Sequence, residues 1–305
     1  KNILVVKHGS LGDIAFSLIA MNSIKKHYSN AKIDLLTEKK YSNLLKKSGN
    51  FNSIIEDNRN GILKSLKIIF NIKKNNYDLI IDLQNSKRTN YYWLLLKLIF
   101  NVKINGSRSN CDIQYIIPSQ GVESPQKGLY NQLKLLGINN IVNDVTWLST
   151  DISEIISNKI ILIIPCVSLS GKNKQWPPNN YAKLSAYLET KGYHICVVGQ
   201  KSDKVTIENI INSCENVIDL TDKSPPEIIY SVAKKSKLII SNDTGPGHIA
   251  ALSNTPILFF GIDNNISKSN LSEYENGYKI LTHSMNSLSL KQAIDFIKEK
   301  KLISE

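Results

Sequence analysis

The segment "SNDTGPGH" (241–248) gathers side chains that could bind a charged ligand. It follows the apolar run "KLII" and precedes a predicted helix. Thr244 and Gly245 offer a hydroxyl and free backbone N–H groups, which form an anion site together with the dipole of a helix. Asp243 is placed to orient His248, which we expect to face the ligand, or to cap the helix. An ordinary helix cap beside a buried histidine is the structural alternative, but a turn alone does not need so many polar residues.

A second polar loop, "KHGSLGD" (7–13), joins a predicted first strand to a predicted helix. Gly9 and Gly12 allow the backbone to approach a ligand closely, and the start of the helix favours negative charge. Asp13 is either a catalytic carboxylate or the N-cap of a helix over 14–28. Because the loop is not G-x-G-x-x-G and lacks the usual acidic residue further on, it does not indicate a dinucleotide cofactor.

The third polar loop is "PCVSLSGKNKQWPP" (165–178). Ser168 and Ser170 supply hydroxyl groups, and Lys174 supplies positive charge. Trp176 and the prolines after it brace the loop and start the next helix. A solvated surface loop with a tryptophan anchor is the alternative interpretation.

The elements that must position these loops alternate between short β-branched runs and stretches of helical periodicity. This alternation predicts α/β units around parallel sheets. In the first half we predict strands at 2–6, 32–37, 77–83, 103–107 and 113–118, and helices at 14–28 and 125–137. In the second half we predict strands at 159–165, 194–199, 216–220, 237–241 and 256–260, and helices at 178–192, 203–213, 225–235, 247–253 and 287–301.

The seam between the two series falls near 145–158. The predicted domains are therefore 1–150 and 151–286, followed by a C-terminal helical segment, 287–305. Two doubly wound halves that face one another would hold a ligand in the cleft between them, against the carboxyl ends of their strands.

Composition is that of a soluble globular protein, with 305 residues, 42% hydrophobic and 21% charged. No run is long enough to span a membrane, and the opening has no signal-peptide profile, so we expect a cytoplasmic location. Four cysteines without C-x-x-C spacing predict reduced thiols rather than disulfides or a zinc site. The formal net charge of +12 favours acidic partners, but no aromatic–basic platform indicates nucleic acid.

Four segments together resemble glycosyltransferase family 9, the bacterial heptosyltransferases of lipopolysaccharide core assembly. The segments are "ILVVKHGSLGDIAFSLIAMNSIKKHYSNAKIDLLTE", "YDLIIDLQNS", "KQWPPNNYAKLSAYLETKGYHICVVG" and "LIISNDTGPGHIAALSNTPILFFG". The resemblance implies an α/β fold with GT-B architecture, which has two facing Rossmann-like domains with a cleft between them. It further implies that an ADP-sugar, most simply ADP-heptose, is a substrate. Transfer would invert the anomeric centre without a cofactor or a metal, and the last helix would pack back on the N-terminal domain.

The resemblance also carries residue roles. Asp13 matches the catalytic base, and Lys174 matches the lysine that holds the donor diphosphate. The other donor-site residues that we expect are Gly12, Ser168, Ser170, Asp219, Asp243, Thr244, Gly245 and His248. Two residues depart from the family pattern: Cys166 stands where a glycine is common, and His8 stands where a small hydroxyl residue is common.

The expected acceptor is a phosphorylated, lipid-linked molecule on an anionic leaflet, so we expect peripheral contact with the inner face of the inner membrane. Candidate acceptor-binding residues are Arg59, Lys64, Arg88 and Arg108. A merely solvated basic face is the alternative for each. The apolar helix predicted at 90–100 could dip into a membrane surface, but core packing is the simpler use. Two other functions stay open from sequence: a non-catalytic nucleotide-sugar-binding protein and a nucleotide-sugar epimerase.

Overall fold

The computed structural model describes residues 1–119, 122–155, 159–272 and 274–304, and for residues 62, 169 and 170 it describes the backbone only. The chain divides into two compact units. The first runs to Ser119 and from Pro125 to Trp147, and the second runs from Leu148 to the end, together with a short segment that ends at Ser124. Among the described residues, no helix is long and apolar enough to cross a membrane.

The first unit contains one parallel sheet of six strands, in the order β3-β2-β1-β4-β5-β6. Its strands are β1 (Asn2–Val6), β2 (Lys32–Thr37), β3 (Ser53–Glu56), β4 (Leu79–Asp82), β5 (Lys103–Gly106) and β6 (Ile113–Gln114). Its helices are α1 (Leu11–His27), α2 (Lys39–Lys46), α3 (Ile62–Asn75), α4 (Lys87–Lys97) and α5 (Pro125–Lys134).

The second unit repeats this plan with the order β12-β11-β10-β7-β8-β9. Its strands are β7 (Ile160–Ile164), β8 (His194–Val197), β9 (Val217–Asp219), β10 (Leu238–Asn242), β11 (Ile257–Ile262) and β12 (Gly277–Thr282). Its helices are α6 (Pro178–Thr190), α7 (Lys204–Ile211), α8 (Pro226–Lys235), α9 (Gly245–Ala251), α10 (Asn265–Asn270) and α11 (Leu290–Glu299).

Each sheet has the strand order of a Rossmann fold, with a point where the chain reverses its direction of winding. In the first unit β1 lies between β2 and β4, and in the second β7 lies between β8 and β10. Loops at the carboxyl ends of the two strands beside such a point form the ligand crevice of open α/β sheets. The loop 7–13 follows β1, the loop 165–178 follows β7, and the segment 241–248 spans the end of β10. All three predicted loops therefore lie at these reversal points.

The central strands are buried along their whole length, as strands of a parallel sheet with helices on both faces must be. All five residues of β7 are buried, and so are all five of β10. The predicted strands and helices of both halves are present, although their ends shift by a few residues. The four cysteines are free thiols, as the sequence predicted.

The C-terminal helix α11 packs in the core of the second unit, and the expected packing of this helix on the N-terminal domain stays a prediction. Ala293 and Ile297 are buried in the core cluster of the second unit. Just before the helix, the backbone carbonyl of Leu288 accepts a hydrogen bond of 2.9 Å from the indole Nε1–H of Trp176. The apolar face of α11 is thus covered by its own unit.

Candidate active site

The loop after β1 is held in one conformation by a glycine and by a side chain that follows β4, the neighbour of β1 in the sheet. Gly9 has a φ of +106°, and a Cβ there would lie 2.9 Å from atoms of both Ile14 and Tyr41. The amide oxygen Oε1 of Gln84 accepts hydrogen bonds from the backbone N–H groups of His8 at 3.0 Å and Gly9 at 3.2 Å. Gly9 therefore shapes the protein's own packing, and Gln84 fixes the loop from the end of β4.

Asp13 lies in the first turn of α1, where it is the N3 residue of a capping box and not the N-cap itself. The helix begins at Leu11 with Ser10 as the N-cap, so the predicted start at residue 14 is wrong. The Oδ2 atom of Asp13 accepts hydrogen bonds from the Ser10 N–H at 2.9 Å and the Ser10 hydroxyl at 3.0 Å. Within the described part of the chain, no hydrogen bond reaches Oδ1. One carboxylate oxygen thus fixes the side chain, and no described residue donates to the other.

A buried lysine lies close to this carboxylate. Lys7 follows β1, is only 6% exposed, and its Nζ donates to the Leu83 carbonyl at 3.1 Å. Burial lowers the pKa of Lys7, while the charges of Asp13 and Asp82 act in the opposite direction. Its position inside the loop of interest was visible in sequence, but its burial was not.

His8, the first departure from the family pattern, takes part in a buried polar network. Its ring Nε2–H donates to Oδ2 of Asp57 at 3.0 Å, and the Tyr92 hydroxyl donates to the same oxygen at 2.8 Å. The Arg59 N–H donates to Oδ1 of Asp57 at 2.8 Å. Burial opposes the ionisation of Asp57, but these bonds outweigh it and lower its pKa to about 2. The imidazole of His8 therefore stabilises the ionised carboxylate of Asp57.

The four candidate acceptor residues lie in the first unit, and two of them meet at Asp57. The guanidinium of Arg88 lies 3.8 Å from that carboxylate and donates to the Tyr92 hydroxyl at 2.6 Å. Arg59 supplies a backbone bond to Asp57, and its side chain pairs with Glu38. The remaining two lie apart: Lys64 is exposed in the first turn of α3, and Arg108 donates to the Asn85 carbonyl at 2.6 Å.

In the second unit, the carboxylate of Asp243 organises the charged side chains. Its Oδ1 accepts from the Nε2–H of His248 at 3.0 Å, and its Oδ2 accepts from the Ser267 hydroxyl at 3.0 Å. The Nζ of Lys174 lies 3.6 Å from the same Oδ2. Burial opposes ionisation, but the contacts with His248, Lys174 and Ser267 outweigh it, so the pKa of Asp243 lies below its usual value.

His248 is buried between Asp243 and Tyr274, and the expectation that it faces the ligand stays a prediction. It is 3% exposed, and its Nδ1 lies 2.8 Å from the Tyr274 hydroxyl while Nε2 bonds to Asp243. Its ring also packs beside the rings of Phe259 and Tyr274. Both nitrogens are therefore engaged by protein groups, and the histidine acts by holding Asp243 in place.

A single buried amide joins the two loops of the second unit. The Nδ2–H of Asn242 donates to the Pro165 carbonyl at 2.9 Å, and its Oδ1 accepts from the Trp176 N–H at 3.1 Å. The indole of Trp176 is fully buried against Tyr181 and Phe260. Lys174 lies two residues before Trp176. The amide of Asn242 fixes Trp176, and it thereby fixes the position of the Lys174 ammonium group.

The remaining residues of the motif have distinct roles in the structure. Thr244 is the N-cap of α9, which begins at Gly245, two residues earlier than predicted; both residues are half-buried. Gly247 lies where a Cβ would collide with the Ser241 hydroxyl and approach Phe259 to 3.0 Å, so it allows the helix to pack closely on the sheet. Thr244 and Gly245 are therefore the accessible part of the motif.

The other predicted donor residues lie outside this cluster or outside the described atoms. Ser168 is exposed at the start of the loop, and the side chain of Ser170 is outside the described residues. Asp219 ends β9 and accepts hydrogen bonds from the N–H of Thr221 at 2.9 Å and from its hydroxyl at 2.5 Å. Gly12 is buried in the first turn of α1.

Cys166, the second departure from the family pattern, is turned into the protein. Its Sγ donates to the Val198 carbonyl at 3.3 Å, and burial raises the pKa of the thiol. A Cβ on Gly199 would lie 2.5 Å from this sulfur, so the small residue at 199 makes room for it. The cysteine therefore fills a space in the core.

The two Rossmann-like sheets define the GT-B class of architecture, and solved structures agree. Escherichia coli heptosyltransferase WaaC with ADP superimposes with a TM-score of 0.75 at 16% identity, covering 98% of this chain and 99% of that one. A UDP-N-acetylglucosamine 2-epimerase from Listeria monocytogenes has a TM-score of 0.65 at 11% identity, covering 99% and 89%. At these identities the comparisons bear on the fold alone.

Sequence comparison finds the same resemblance. The family model "Glycosyltransferase family 9 (heptosyltransferase)" matches residues 139–276. Lipopolysaccharide heptosyltransferase 1 of Campylobacter coli is 24% identical, covering 99% of this chain and 96% of that protein. Lipopolysaccharide core heptosyltransferase OpsX of Haemophilus influenzae is 20% identical, covering 85% and 78%. These matches confirm the resemblance to glycosyltransferase family 9, and the chain is a glycosyltransferase.

The Asp57 network predicts a defined pH dependence of stability. The carboxylate has an ordinary pKa of 3.8 and a folded pKa of about 2. Its contribution is therefore complete above pH 4 and is lost as the pH falls towards 2, an effect of about 2 kcal/mol. Between pH 5 and pH 2, the difference in unfolding free energy between wild type and Asp57→Asn should shrink by about this amount. Chemical denaturation at a series of pH values measures it.

The matched variant is Tyr92→Phe, which removes one donor to Asp57 and keeps the carboxylate. It should show a smaller change of the same sign. A difference between wild type and Asp57→Asn that stays constant across this pH range would show that the network does not hold the carboxylate ionised.

Proposed function

We propose that this enzyme transfers heptose from ADP-heptose to a phosphorylated, lipid-linked acceptor of the lipopolysaccharide core, with inversion of the anomeric centre. The named relatives are lipopolysaccharide heptosyltransferases, and the match to this chain covers most of their length. WaaC, whose fold this chain shares, has been solved with ADP. The observation that carries the proposal is the Lys174–Asp243–His248 arrangement at the reversal point of the second sheet.

This arrangement suits a diphosphate leaving group. The partly exposed Lys174 ammonium lies 3.6 Å from Asp243, the residue before Thr244 and Gly245, so a cation, a hydroxyl and backbone N–H groups lie on neighbouring loops. Fixed donors of this kind stabilise the charge that develops when a diphosphate departs. Asp243 is held by two further bonds, so it can keep Lys174 in position before the ligand arrives.

The acceptor half of the reaction needs one base. The acceptor hydroxyl oxygen forms the new bond to the anomeric carbon while its proton passes to Asp13. On the opposite face, the bond from that carbon to the diphosphate oxygen breaks, and ADP leaves with the electron pair. The Oδ1 of Asp13, to which no described residue donates a hydrogen bond, supports this role, because Ser10 binds only Oδ2. The start of α1 favours a negative charge at this position.

Protein cations replace a metal in this proposal. The sequence contains no D-x-D motif. In the described part of the chain, no three His, Cys, Asp or Glu side chains are grouped so that they could hold a metal ion. Lys174 on the donor side would therefore neutralise the diphosphate, and metal independence stays a prediction. On the acceptor side, Arg59, Lys64, Arg88 and Arg108 would bind phosphate groups at the inner face of the inner membrane.

Lys174→Ala should weaken ADP binding by about tenfold or more, because charge-assisted hydrogen bonds are lost. The variant also leaves Asp243 with an unbalanced negative charge near the diphosphate. Calorimetric titration with ADP in the presence of EDTA measures the effect, and transfer in EDTA should persist in the wild type. The control is Lys172→Ala, an exposed lysine of the same loop. Equal ADP affinity of both variants would remove Lys174 from the donor site.

Asp13→Asn should fold and bind ADP like the wild type, yet transfer heptose about 10²–10⁴-fold more slowly. The asparagine oxygen can still accept from Ser10, so the loop keeps its shape, but no carboxylate is present to take the proton. Ser10→Ala serves as the control for loop shape, since it removes a hydrogen bond and leaves the base. Near wild-type turnover by Asp13→Asn would leave the base unassigned.

A further inference from the structure

Helices α3 and α4 expose an unusual row of apolar side chains. In α3, Leu63 is 82% exposed and Phe70 is 60% exposed; just after α4, Leu98 is 76% exposed. We call these side chains and their exposed neighbours the α3–α4 face. Its members are Leu63, Leu66, Phe70, Tyr91, Leu94, Leu95, Leu98 and Ile99.

Folding does not account for this face, because both helices already bury another one. Ile68, Ile69 and Ile72 of α3 are buried in the same core cluster as Trp93 and Leu96 of α4. The two helices contact each other, and the guanidinium of Arg88 donates to the Ser65 hydroxyl at 2.9 Å across them. They therefore cover one face of the sheet side by side and present their second apolar face outward.

The spacing makes each outward face continuous. Leu63, Leu66 and Phe70 follow an i, i+3, i+7 pattern, and Tyr91, Leu95 and Leu98 follow i, i+4, i+7. Residues at these spacings lie on one side of a helix. Exposed apolar patches of this kind mark sites of interaction with a protein or a membrane.

The charge around the face favours an anionic partner. Neither α3 nor α4 contains an aspartate or a glutamate. Six exposed lysines lie on the two helices: Lys64, Lys67, Lys73, Lys74, Lys87 and Lys97, of which Lys97 pairs with Asp112. A second copy of the chain is disfavoured, because a symmetric contact would bring the same lysines face to face.

We propose that the α3–α4 face docks on the surface of an anionic lipid bilayer, with both helices lying in the plane of the membrane. The apolar side chains enter the boundary between headgroups and acyl chains, while the lysines reach the phosphates with their stems along the surface. This inference rests on the proposed function in one respect: Lys64 and Arg88, proposed to bind the acceptor, lie in the first turns of the same helices. A lipid-linked acceptor would then meet its binding residues at the surface where it is embedded.

Cosedimentation with vesicles tests the proposal on the full chain. The vesicles contain phosphatidylethanolamine with phosphatidylglycerol, or phosphatidylcholine alone. Two double variants alter the face: Phe70→Ser with Leu98→Ser, and Lys67→Gln with Lys74→Gln. Matched controls alter exposed residues of the second unit: Val205→Ser, at a side chain 67% exposed, and Lys183→Gln with Lys291→Gln. All of these residues are exposed, and the thermal unfolding midpoint checks that each variant folds.

The wild type and both controls should bind the anionic vesicles, with little binding to phosphatidylcholine. The serine double variant should bind at least about tenfold more weakly, and the glutamine variant should lose about fivefold for each lysine. No binding by the wild type, or equal loss in variants and controls, would overturn the proposal. A wild type that forms a dimer broken by Phe70→Ser with Leu98→Ser, without binding vesicles, would also overturn it.

The catalytic proposal is tested separately, by ADP release with an acceptor freed of its lipid. Both face variants should keep wild-type turnover in that assay, because none of their four residues belongs to the donor or acceptor site. Vesicle binding by a wild type that transfers no heptose would contradict the proposed function and support the docking surface.

Discussion

The buried amide of Asn242 is the contact on which the proposed donor site depends. It binds the Pro165 carbonyl with one end and the Trp176 N–H with the other, so two loops from different strands become one rigid group. The next residue, Asp243, then meets Lys174 and His248 at fixed distances. A buried polar group that is fully hydrogen-bonded specifies one arrangement, whereas an unsatisfied one is costly. Asn242 therefore helps to position the Lys174 ammonium group without binding the ligand itself.

The first unit uses the same device at the equivalent place in its sheet. Gln84, after β4, binds the loop after β1 as Asn242, at the end of β10, binds the loop after β7. In both sheets, the amide crosses the point where the winding reverses. Adjacent loops diverge there, and the opening that they leave is the ligand crevice of this class of sheet. A side chain that ties the two loops together fixes the crevice without filling it. Asp13 and Lys174 each lie within a loop that is fixed in this way.

The sequence predicted what local pattern encodes. Alternating apolar runs gave the two parallel sheets, and the polar loops between them marked both reversal points. Three features could not be predicted, each for a physical reason. Helix α3 was not predicted. Apolar residues occur on its buried side, at Ile68, Ile69 and Ile72, and also on its exposed side, so its sequence lacks a clear amphipathic pattern. The burial of Lys7 and the bond from Tyr274 to His248 depend on distant segments meeting in space.

The configuration of the product tests the central claim, that one base in the first unit and a cation-held diphosphate in the second perform a single displacement. The enzyme would be incubated with ADP-heptose and its acceptor in EDTA. The one-bond carbon–proton coupling at the anomeric carbon would then be measured by NMR for donor and product. The account predicts the opposite anomeric configuration in the product, because a single displacement inverts the carbon. Retention of the donor configuration would contradict it, since two displacements would require a second group that attacks this carbon.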